Sequence, residues 1–147
     1  MTKKRTGDPW MPADEYGKTL VGLTVNLIVR DVARSVRFYG GVLGFRALYS
    51  DADFAALERD GMRLTLHADH AYDGVPWTGR LAGLAKRGSG AEIRLLGIDP
   101  DEVARRAREG GAPVLYGPLA KAHGWREVHV EDPDGYVLAV GVIPDAH

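Results

Sequence analysis

The sequence predicts an α+β fold of two tandem βαβββ modules, whose strands form a cupped, partly open mixed β-sheet barrel with helices outside. Each half of the chain opens with period-two alternation of apolar and polar residues, followed by a helical stripe and three further strand signals. The turn dipeptide Asp60-Gly61 of the first half recurs as Asp134-Gly135 in the second. The repeated unit takes up about half of the chain and occurs twice, which predicts a duplicated half-domain rather than an array of short repeats.

The first module is predicted over residues 21–70, after an N-terminal extension over residues 1–20 that carries Trp10 and Tyr16 as candidate docking aromatics. From Leu23 to Val29 apolar and polar residues alternate, which predicts a strand with one face on the helices. Asp31 follows and is a helix N-cap residue type. The three strand signals of this module then lie at residues 45–49, 54–58 and 62–67.

The second module is predicted over residues 91–143, after a Gly-rich connection over 71–90. Residues 92–98 alternate as a strand, Asp99-Pro100 opens a helix, and Gly110-Gly111 closes it. Three strand signals follow at residues 113–116, 125–130 and 136–142. The order strand, helix, three strands is therefore expected twice.

Composition narrows the classes of function. The chain has 147 residues, 19 basic and 20 acidic side chains spread along it, and no cysteine. This composition predicts no basic surface for nucleic acid and excludes disulfides, thiolate zinc sites and cysteine nucleophiles. No apolar run approaches the roughly 20 residues that span a bilayer, and the basic start lacks a following apolar stretch. We therefore expect a cytoplasmic protein with no membrane partner and a small molecule as ligand.

Strand alternation also predicts which side chains line the concave face of the cup. If the apolar positions of the first strand pack against helices, the opposite face of each strand points into the hollow. A lining of a few polar groups with an aromatic wall, here Trp125, is typical of small-ligand sites. Two alternatives remain open: Glu92 could pair with Arg94 or Arg63, and Trp125 could plug the barrel end. The predicted ligand-binding residues are Thr24, Asn26, Arg63, Thr65, His67, Glu92, Arg94, Trp125, Glu127, His129 and Ala139, with Val137 beside them.

Carboxylates and imidazoles supply the candidate catalytic groups. Glu92 and Glu127 are candidates for proton transfer. His67 and His70, together with Glu92 or Glu127 from the other module, could form a non-standard site for zinc, nickel, iron or manganese. The histidine spacing is weak evidence, because one histidine in a pocket and one in solvent is the commoner outcome. No cofactor is therefore favoured, and a divalent metal is the alternative.

Two segments resemble a known superfamily. The segment from Val25 to Phe45 runs from a strand through Asp31 into a helix that ends in Phe-Tyr and Leu-Gly-Phe. The segment from Arg126 to Leu138 is built around Asp-Pro-Asp-Gly. Both resemble vicinal-oxygen-chelate proteins, the superfamily of glyoxalases, bleomycin resistance proteins and extradiol dioxygenases. The resemblance covers about residues 22–143 and implies the fold and a homodimer, but it does not select a function.

The resemblance also implies where metal ligands would lie. In metal-dependent members the ligands come from strand positions that correspond here to Thr24, Thr65, Glu92 and Ala139. Only Glu92 is a competent ligand among the four, so the inherited metal site is expected to be lost. We therefore expect a protein that binds a planar or aromatic organic molecule in a metal-free cup and sequesters it. The alternatives are a metal-dependent lyase, isomerase or dioxygenase with non-standard ligands, and a regulatory module that acts through the N-terminal extension.

Overall fold

The computed structural model describes residues 11–122 and 124–143. The chain divides into two compact units, one comprising Met1–Val36 and Phe45–Gly83, the other Arg37–Gly44 and Leu84–His147. Each unit contains one four-stranded mixed sheet, and neither sheet closes into a barrel. Strand, helix and three strands follow one another twice along the chain, which confirms the predicted α+β fold. Trp10 lies outside the described residues.

The first unit has the strand order β1-β4-β3-β2. Strand β1 is parallel to β4, and the other two pairings are antiparallel. After β4 the chain forms two short 3-10 helices: Asp69–Tyr72, which begins two residues before the predicted connection, and Pro76–Leu81, which lies within it. The remaining elements of this half are α1 (Ala13–Gly17), β1 (Val25–Val29), α2 (Val32–Gly41), β2 (Arg46–Ser50), β3 (Phe54–Arg59) and β4 (Met62–Ala68).

The second unit repeats this topology with the strand order β5-β8-β7-β6. Strand β5 is parallel to β8, and β8-β7 and β7-β6 are antiparallel. The C-terminal part of helix α2, from Arg37 onward, belongs to this unit. Its other elements are β5 (Glu92–Leu96), α3 (Pro100–Glu109), β6 (Val114–Ala120), β7 (Arg126–Glu131) and β8 (Val137–Val142).

Both long helices begin at the aspartates that the sequence indicated. The carboxylate of Asp31 accepts a hydrogen bond of 3.1 Å from the backbone N–H of Arg34 at the start of α2. Asp99 accepts one of 2.9 Å from the N–H of Asp101, and Pro100 occupies the first position of α3. These side chains satisfy backbone donors that have no partner inside the helix. Such a cap contributes about 1 kcal/mol to stability.

The first strand starts later than predicted. β1 begins at Val25, so Thr24 precedes it, and Leu23, expected on the helix-facing side, is 95% exposed. The expectation for Leu23 was wrong because Gly22, at φ 67°, turns the chain immediately before this residue. Leu27 and Val29 are buried as predicted, but Ile28 on the opposite face is buried as well.

The two Asp-Gly turns have different surroundings. Asp60 and Gly61 have φ angles of 49° and 81°, as in a tight two-residue hairpin, and the space beside Gly61 is open. Gly135 also has positive φ, but a Cβ there would lie 2.5 Å from the Cα of Lys86. The second turn is thus packed under the connection, whereas the first is at the surface.

No helix in the described ranges is both long and apolar enough to cross a bilayer.

Candidate functional site

The strand register places the predicted site residues of each unit on one face of its sheet. In the first unit Asn26 lies opposite Thr65, with Arg63 and His67 at alternate positions of the same strand. In the second unit Ala139 lies between Arg94 and His129 on the two flanking strands. Glu92 and Glu131 flank Val137 in the same way. The sequence therefore correctly predicted which strand residues share one face of each sheet. The role of these residues in ligand binding stays a prediction.

Asn26 organises the polar groups of the first sheet face. Its Oδ1 accepts a hydrogen bond of 2.8 Å from Oγ1 of Thr65 and lies 2.6 Å from Nδ1 of His67. Its Nδ2 donates to the hydroxyl of Tyr72 at 2.7 Å. Because the amide oxygen can only accept, His67 must carry its proton on Nδ1 for the contact to be a hydrogen bond. The arrangement fixes the imidazole and links β1, β4 and the following 3-10 helix.

Aromatic rings surround this polar network. The ring of Phe54 packs against His67 with centroids 4.8 Å apart, and Tyr72 meets His67 edge-on at 5.3 Å. Tyr16 of helix α1 contacts Phe54 edge-on at 5.7 Å. Docking of the N-terminal segment through Tyr16 is thus confirmed, and α1 lies against the strand face that carries the predicted site residues. Trp77, in contrast, is 48% exposed in the connection.

Glu127 is a buried charged residue on the face of the second sheet that carries the predicted site residues. Its side chain is 6% exposed, and its Oε1 lies 3.3 Å from Nζ of Lys121 and 3.2 Å from Nε2 of His129. Burial raises the pKa of Glu127, but the hydrogen bonds from Lys121 and His129 outweigh it, so the pKa lies below its ordinary value. The bond to Glu127 likewise raises the pKa of Lys121. Glu127 is therefore an ionised carboxylate at neutral pH and a weak proton acceptor.

Glu92 and Arg94 join this cluster from β5. Nε of Arg94 donates to Oε1 of Glu92 at 3.1 Å, and Oε2 of Glu92 lies 3.7 Å from Nε2 of His129. The Arg94 guanidinium also lies over the ring of Trp125, 5.1 Å from its centroid, within the range of a cation–π interaction. Five residues singled out from the sequence, Glu92, Arg94, Trp125, Glu127 and His129, therefore form one connected group of charged and aromatic side chains.

Sequence reasoning missed two members of this group. Nζ of Lys121 lies 4.7 Å from the ring centroid of Tyr116, and that ring packs against His129 at 5.2 Å. The strand signal was taken to end at Tyr116, but β6 continues to Ala120 through Gly117 and Pro118. Its register against β7 shifts on the way, which brings Leu119 opposite Glu127. Lys121 lies two residues after Leu119. Only a prediction of this longer strand would have placed Lys121 near Glu127.

Small residues leave no room above the centre of the second sheet. A Cβ at Gly141 would lie 2.6 Å from the carbonyl oxygen of Arg126 and 3.0 Å from Cβ of Glu127. Ala139, the neighbour on the same face of β8, is 1% exposed. The side chain of Glu127 therefore packs directly over the backbone of β8.

The described residues do not fit the metal site that the resemblance implies. Thr65 uses its hydroxyl to donate to Asn26, Glu92 pairs with Arg94, and Ala139 has no donor atom. Carboxylate and imidazole groups, not hydroxyls and methyls, hold such metals tightly. The alternative ligands are also engaged: His67 contacts Asn26, and Nε2 of His70 lies 2.6 Å from the buried carboxylate of Asp53. Across residues 11–122 and 124–143 no three metal-ligating side chains cluster.

Two of the cavities formed by described residues lie in the first unit. One of about 270 Å³ lies beside α1, and Thr24, Arg63 and Thr65 are among its lining residues. The other, of about 500 Å³, lies between Ile28 and the 3-10 helices of the connection, with Asp69 and Asp73 in its wall. The sequence did not predict the second cavity, because it is formed by a segment without strand or helix periodicity.

A family model described as the Glyoxalase/Bleomycin resistance protein/Dioxygenase superfamily matches residues 23–140. A search of curated protein sequences found no match. Among solved structures, a glyoxalase/bleomycin resistance protein/dioxygenase family enzyme from Burkholderia phytofirmans PsJN is 19% identical with a TM-score of 0.68, covering 82% of this chain and 96% of its own.

Two further structures are similar. A glyoxalase-related enzyme from Fulvimarina pelagi is 21% identical with a TM-score of 0.63 and covers 85% of this chain and 90% of its own. A protein of unknown function from Agrobacterium tumefaciens str. C58 is 22% identical with a TM-score of 0.67 and covers 84% and 94%. At these identities the likenesses establish the fold alone.

Proposed function

The chain belongs to the glyoxalase/bleomycin resistance protein/dioxygenase superfamily, and we propose that it binds a small planar or aromatic organic molecule without a metal and sequesters it. The observation that carries this proposal is the connected group formed by β5, β6, β7 and the segment between β6 and β7, in which Trp125 and Tyr116 lie beside charged side chains. Flat rings with a few charged neighbours are suited to orienting a flat guest that has polar substituents.

Each charge in the group is already balanced, which favours binding over catalysis. Arg94 pairs with Glu92, and Lys121 and His129 pair with Glu127. A general base acts best with a pKa near the working pH, whereas the pKa of Glu127 is lowered. The pairs thus act to hold the rings and to offer hydrogen bonds to a ligand. A metal-dependent lyase, isomerase or dioxygenase remains the alternative, and no described arrangement favours it.

Calorimetric titration with metal-free bleomycin and a series of flat aromatic antibiotics tests the proposal. We expect at least one of these probes to bind the unmodified chain and Trp125→Ala to weaken it about tenfold, roughly 1.4 kcal/mol, as stacked aromatic contacts contribute. Trp77→Ala is the matched control, because Trp77 is exposed in the connection. No binding of any probe, or equal losses in both variants, would refute the proposal.

The remaining expectations have three sources: the homodimer rests on the family resemblance, the compartment on composition, and the other lining residues on strand alternation. We propose that the protein is cytoplasmic and forms a homodimer, and that the other predicted lining residues, Asn26, Thr65 and His67 among them, belong to a ligand-binding face of their own sheet. Light scattering on the purified chain measures the oligomeric state, and a mass of one chain at micromolar concentration would contradict the dimer.

A further inference from the structure

In the connected group, each arginine or lysine is more exposed than the carboxylate with which it pairs. The side chain of Arg94 is 56% exposed against 36% for Glu92, and that of Lys121 is 29% exposed against 6% for Glu127. The two oxygens of Glu92 also face nitrogen atoms of the group: Oε1 lies near Nε of Arg94, and Oε2 lies 3.7 Å from Nε2 of His129. The group therefore presents its cations to a ligand more than its carboxylates.

Arg94 uses only one of its three guanidinium nitrogens within the group. Its Nε donates to Oε1 of Glu92 at 3.1 Å. Neither Nη atom has a hydrogen-bond or ion-pair partner in the stretches 11–122 and 124–143. A guanidinium holds five N–H donors in one plane, and four of them belong to the Nη atoms. The outer edge of Arg94 therefore has the geometry that accepts both oxygens of a carboxylate at once.

Apolar surface adjoins this cationic edge. The guanidinium of Arg94 lies over the ring of Trp125, 5.1 Å from its centroid. Leu96 follows two residues after Arg94, on the same face of β5, and its side chain is exposed. Gly141, the neighbour of Leu96 on β8, has no side chain that would cover it. An exposed leucine and an indole ring thus lie next to the free donors, where an apolar body can cover them.

We propose that the ligand of the connected group is an aromatic carboxylate, whose two oxygens accept hydrogen bonds from the Nη atoms of Arg94 and whose ring packs on Trp125 and Leu96. This ligand class rests on the function proposed above, which it narrows from planar organic molecules to planar anions. An uncharged ring of the same shape lacks the charge-assisted hydrogen bonds, which are about twice as strong as neutral ones. Arg94 is therefore the residue that selects the charge of the ligand.

The probe is 2-naphthoate, and the corresponding naphthamide is its uncharged counterpart of nearly the same shape. Calorimetric titration of the full chain should show that naphthoate binds and that naphthamide binds at least tenfold more weakly. In NMR spectra naphthoate should shift the indole N–H resonance of Trp125, which Trp125→Phe identifies by its loss. Among flat aromatic antibiotics, those that carry a carboxylate should bind most tightly.

Two outcomes of these titrations separate the ligand class from the proposed function. Equal affinity for naphthoate and naphthamide, both weakened by Trp125→Ala, would overturn the anionic ligand and leave the binding of planar molecules intact. Absence of naphthoate binding also overturns the anionic ligand. In that case the titrations with bleomycin and uncharged antibiotics decide the proposed function by themselves.

Variants of one ion pair separate recognition by Arg94 from the balance of charge. Arg94→Gln should weaken naphthoate at least tenfold and leave naphthamide nearly unchanged. Because this variant also leaves Glu92 without its arginine, a double variant that adds Glu92→Gln is needed, and it should bind naphthoate as weakly as Arg94→Gln does. Recovery of naphthoate binding in the double variant would show that Arg94 only neutralises Glu92, and would overturn the proposal.

Arg108→Gln is the matched control, because Arg108 is an exposed arginine of helix α3. It should leave naphthoate affinity unchanged. Thermal unfolding of each variant checks that it folds. Equal losses of naphthoate affinity in Arg94→Gln and Arg108→Gln would mean that only the net charge of the chain matters, and would also overturn the proposal.

Discussion

The hydroxyl of Tyr39 donates a hydrogen bond of 2.8 Å to Oδ2 of Asp132, a residue 93 positions later in the chain. Tyr39 is fully buried and Asp132 is 3% exposed. The other carboxylate oxygen, Oδ1, accepts hydrogen bonds of 2.9 Å from the N–H groups of Asp134 and Tyr136. One carboxylate thus closes the Asp-Pro-Asp-Gly turn and joins it to the C-terminal part of α2.

Removing the Tyr39 hydroxyl should destabilise the protein in a pH-dependent way. Tyr39→Phe leaves a buried carboxylate oxygen without a donor, which costs about 1 to 3 kcal/mol at pH 7. Burial raises the pKa of Asp132 above its ordinary value despite its hydrogen bonds, and Tyr39→Phe removes one bond that lowers it. Because the folded state holds this proton more tightly than the unfolded chain does, Asp132 adds to the free energy of unfolding at low pH. This stabilisation is lost as the pH rises from the ordinary carboxyl pKa through the higher folded-state pKa.

Urea unfolding of both proteins at pH 4 and pH 7 measures this effect. The difference between the unmodified chain and Tyr39→Phe should be smaller at pH 4, where protonated Asp132 needs the donor less. A difference that does not vary with pH would contradict the role assigned to the carboxylate.

Much of this architecture could be predicted because it depends on local patterns. The alternation of apolar and polar residues correctly predicted which side chains of β4, β5 and β7 share a sheet face. The cap residues Asp31 and Asp99 lie at the predicted helix starts. The partners across the fold could not be predicted: nothing local indicates that Tyr39 reaches Asp132. From its local sequence, Asp132 is typical of an ordinary turn.

The candidate site shows the same limit. Asn26 was expected to face a ligand, but its amide is engaged by Thr65, His67 and Tyr72. Gly117-Pro118 normally indicates the end of a strand, because proline cannot donate to the ladder. β6 nevertheless continues past it, and Lys121 reaches Glu127 only because of this continuation.

Lys121→Met should destabilise the chain at neutral pH. The variant removes one of two donors that hold the buried Glu127 carboxylate ionised, so the pKa of Glu127 should rise. A lowered carboxyl pKa contributes stability above the ordinary carboxyl range, and this is lost as pH falls through the folded-state pKa. The loss caused by Lys121→Met should therefore be clear at pH 7.5 and shrink toward pH 4 in urea unfolding.

Lys18→Met is the control for the loss of an exposed lysine charge. It should leave unfolding nearly unchanged at both pH values, because surface charges contribute little. Equal effects of the two variants would show that Lys121 acts only through the net charge.

The two turn glycines should differ in their tolerance of alanine. Both have positive φ, so Gly61→Ala should cost about 1 to 2 kcal/mol for backbone conformation alone, because the space beside it is open. Gly135→Ala adds a clash with the backbone of Lys86 and should cost distinctly more. Denaturant midpoints of the two variants decide the comparison. A Gly135→Ala midpoint equal to that of Gly61→Ala would mean that the connection does not pack over this turn.

Metal content distinguishes the proposed binder from the metal-dependent alternative. We expect tag-free protein, equilibrated with zinc, nickel, iron(II) or manganese and then desalted, to retain no more than about a tenth of an equivalent, because few competent donors converge. Thr65 donates its hydroxyl to Asn26, and Glu92 is paired with Arg94, so neither is set to receive a cation. Elemental analysis measures the retained metal. Retention of a full equivalent that Glu92→Gln abolishes and Glu58→Gln preserves would instead support a non-standard metal site.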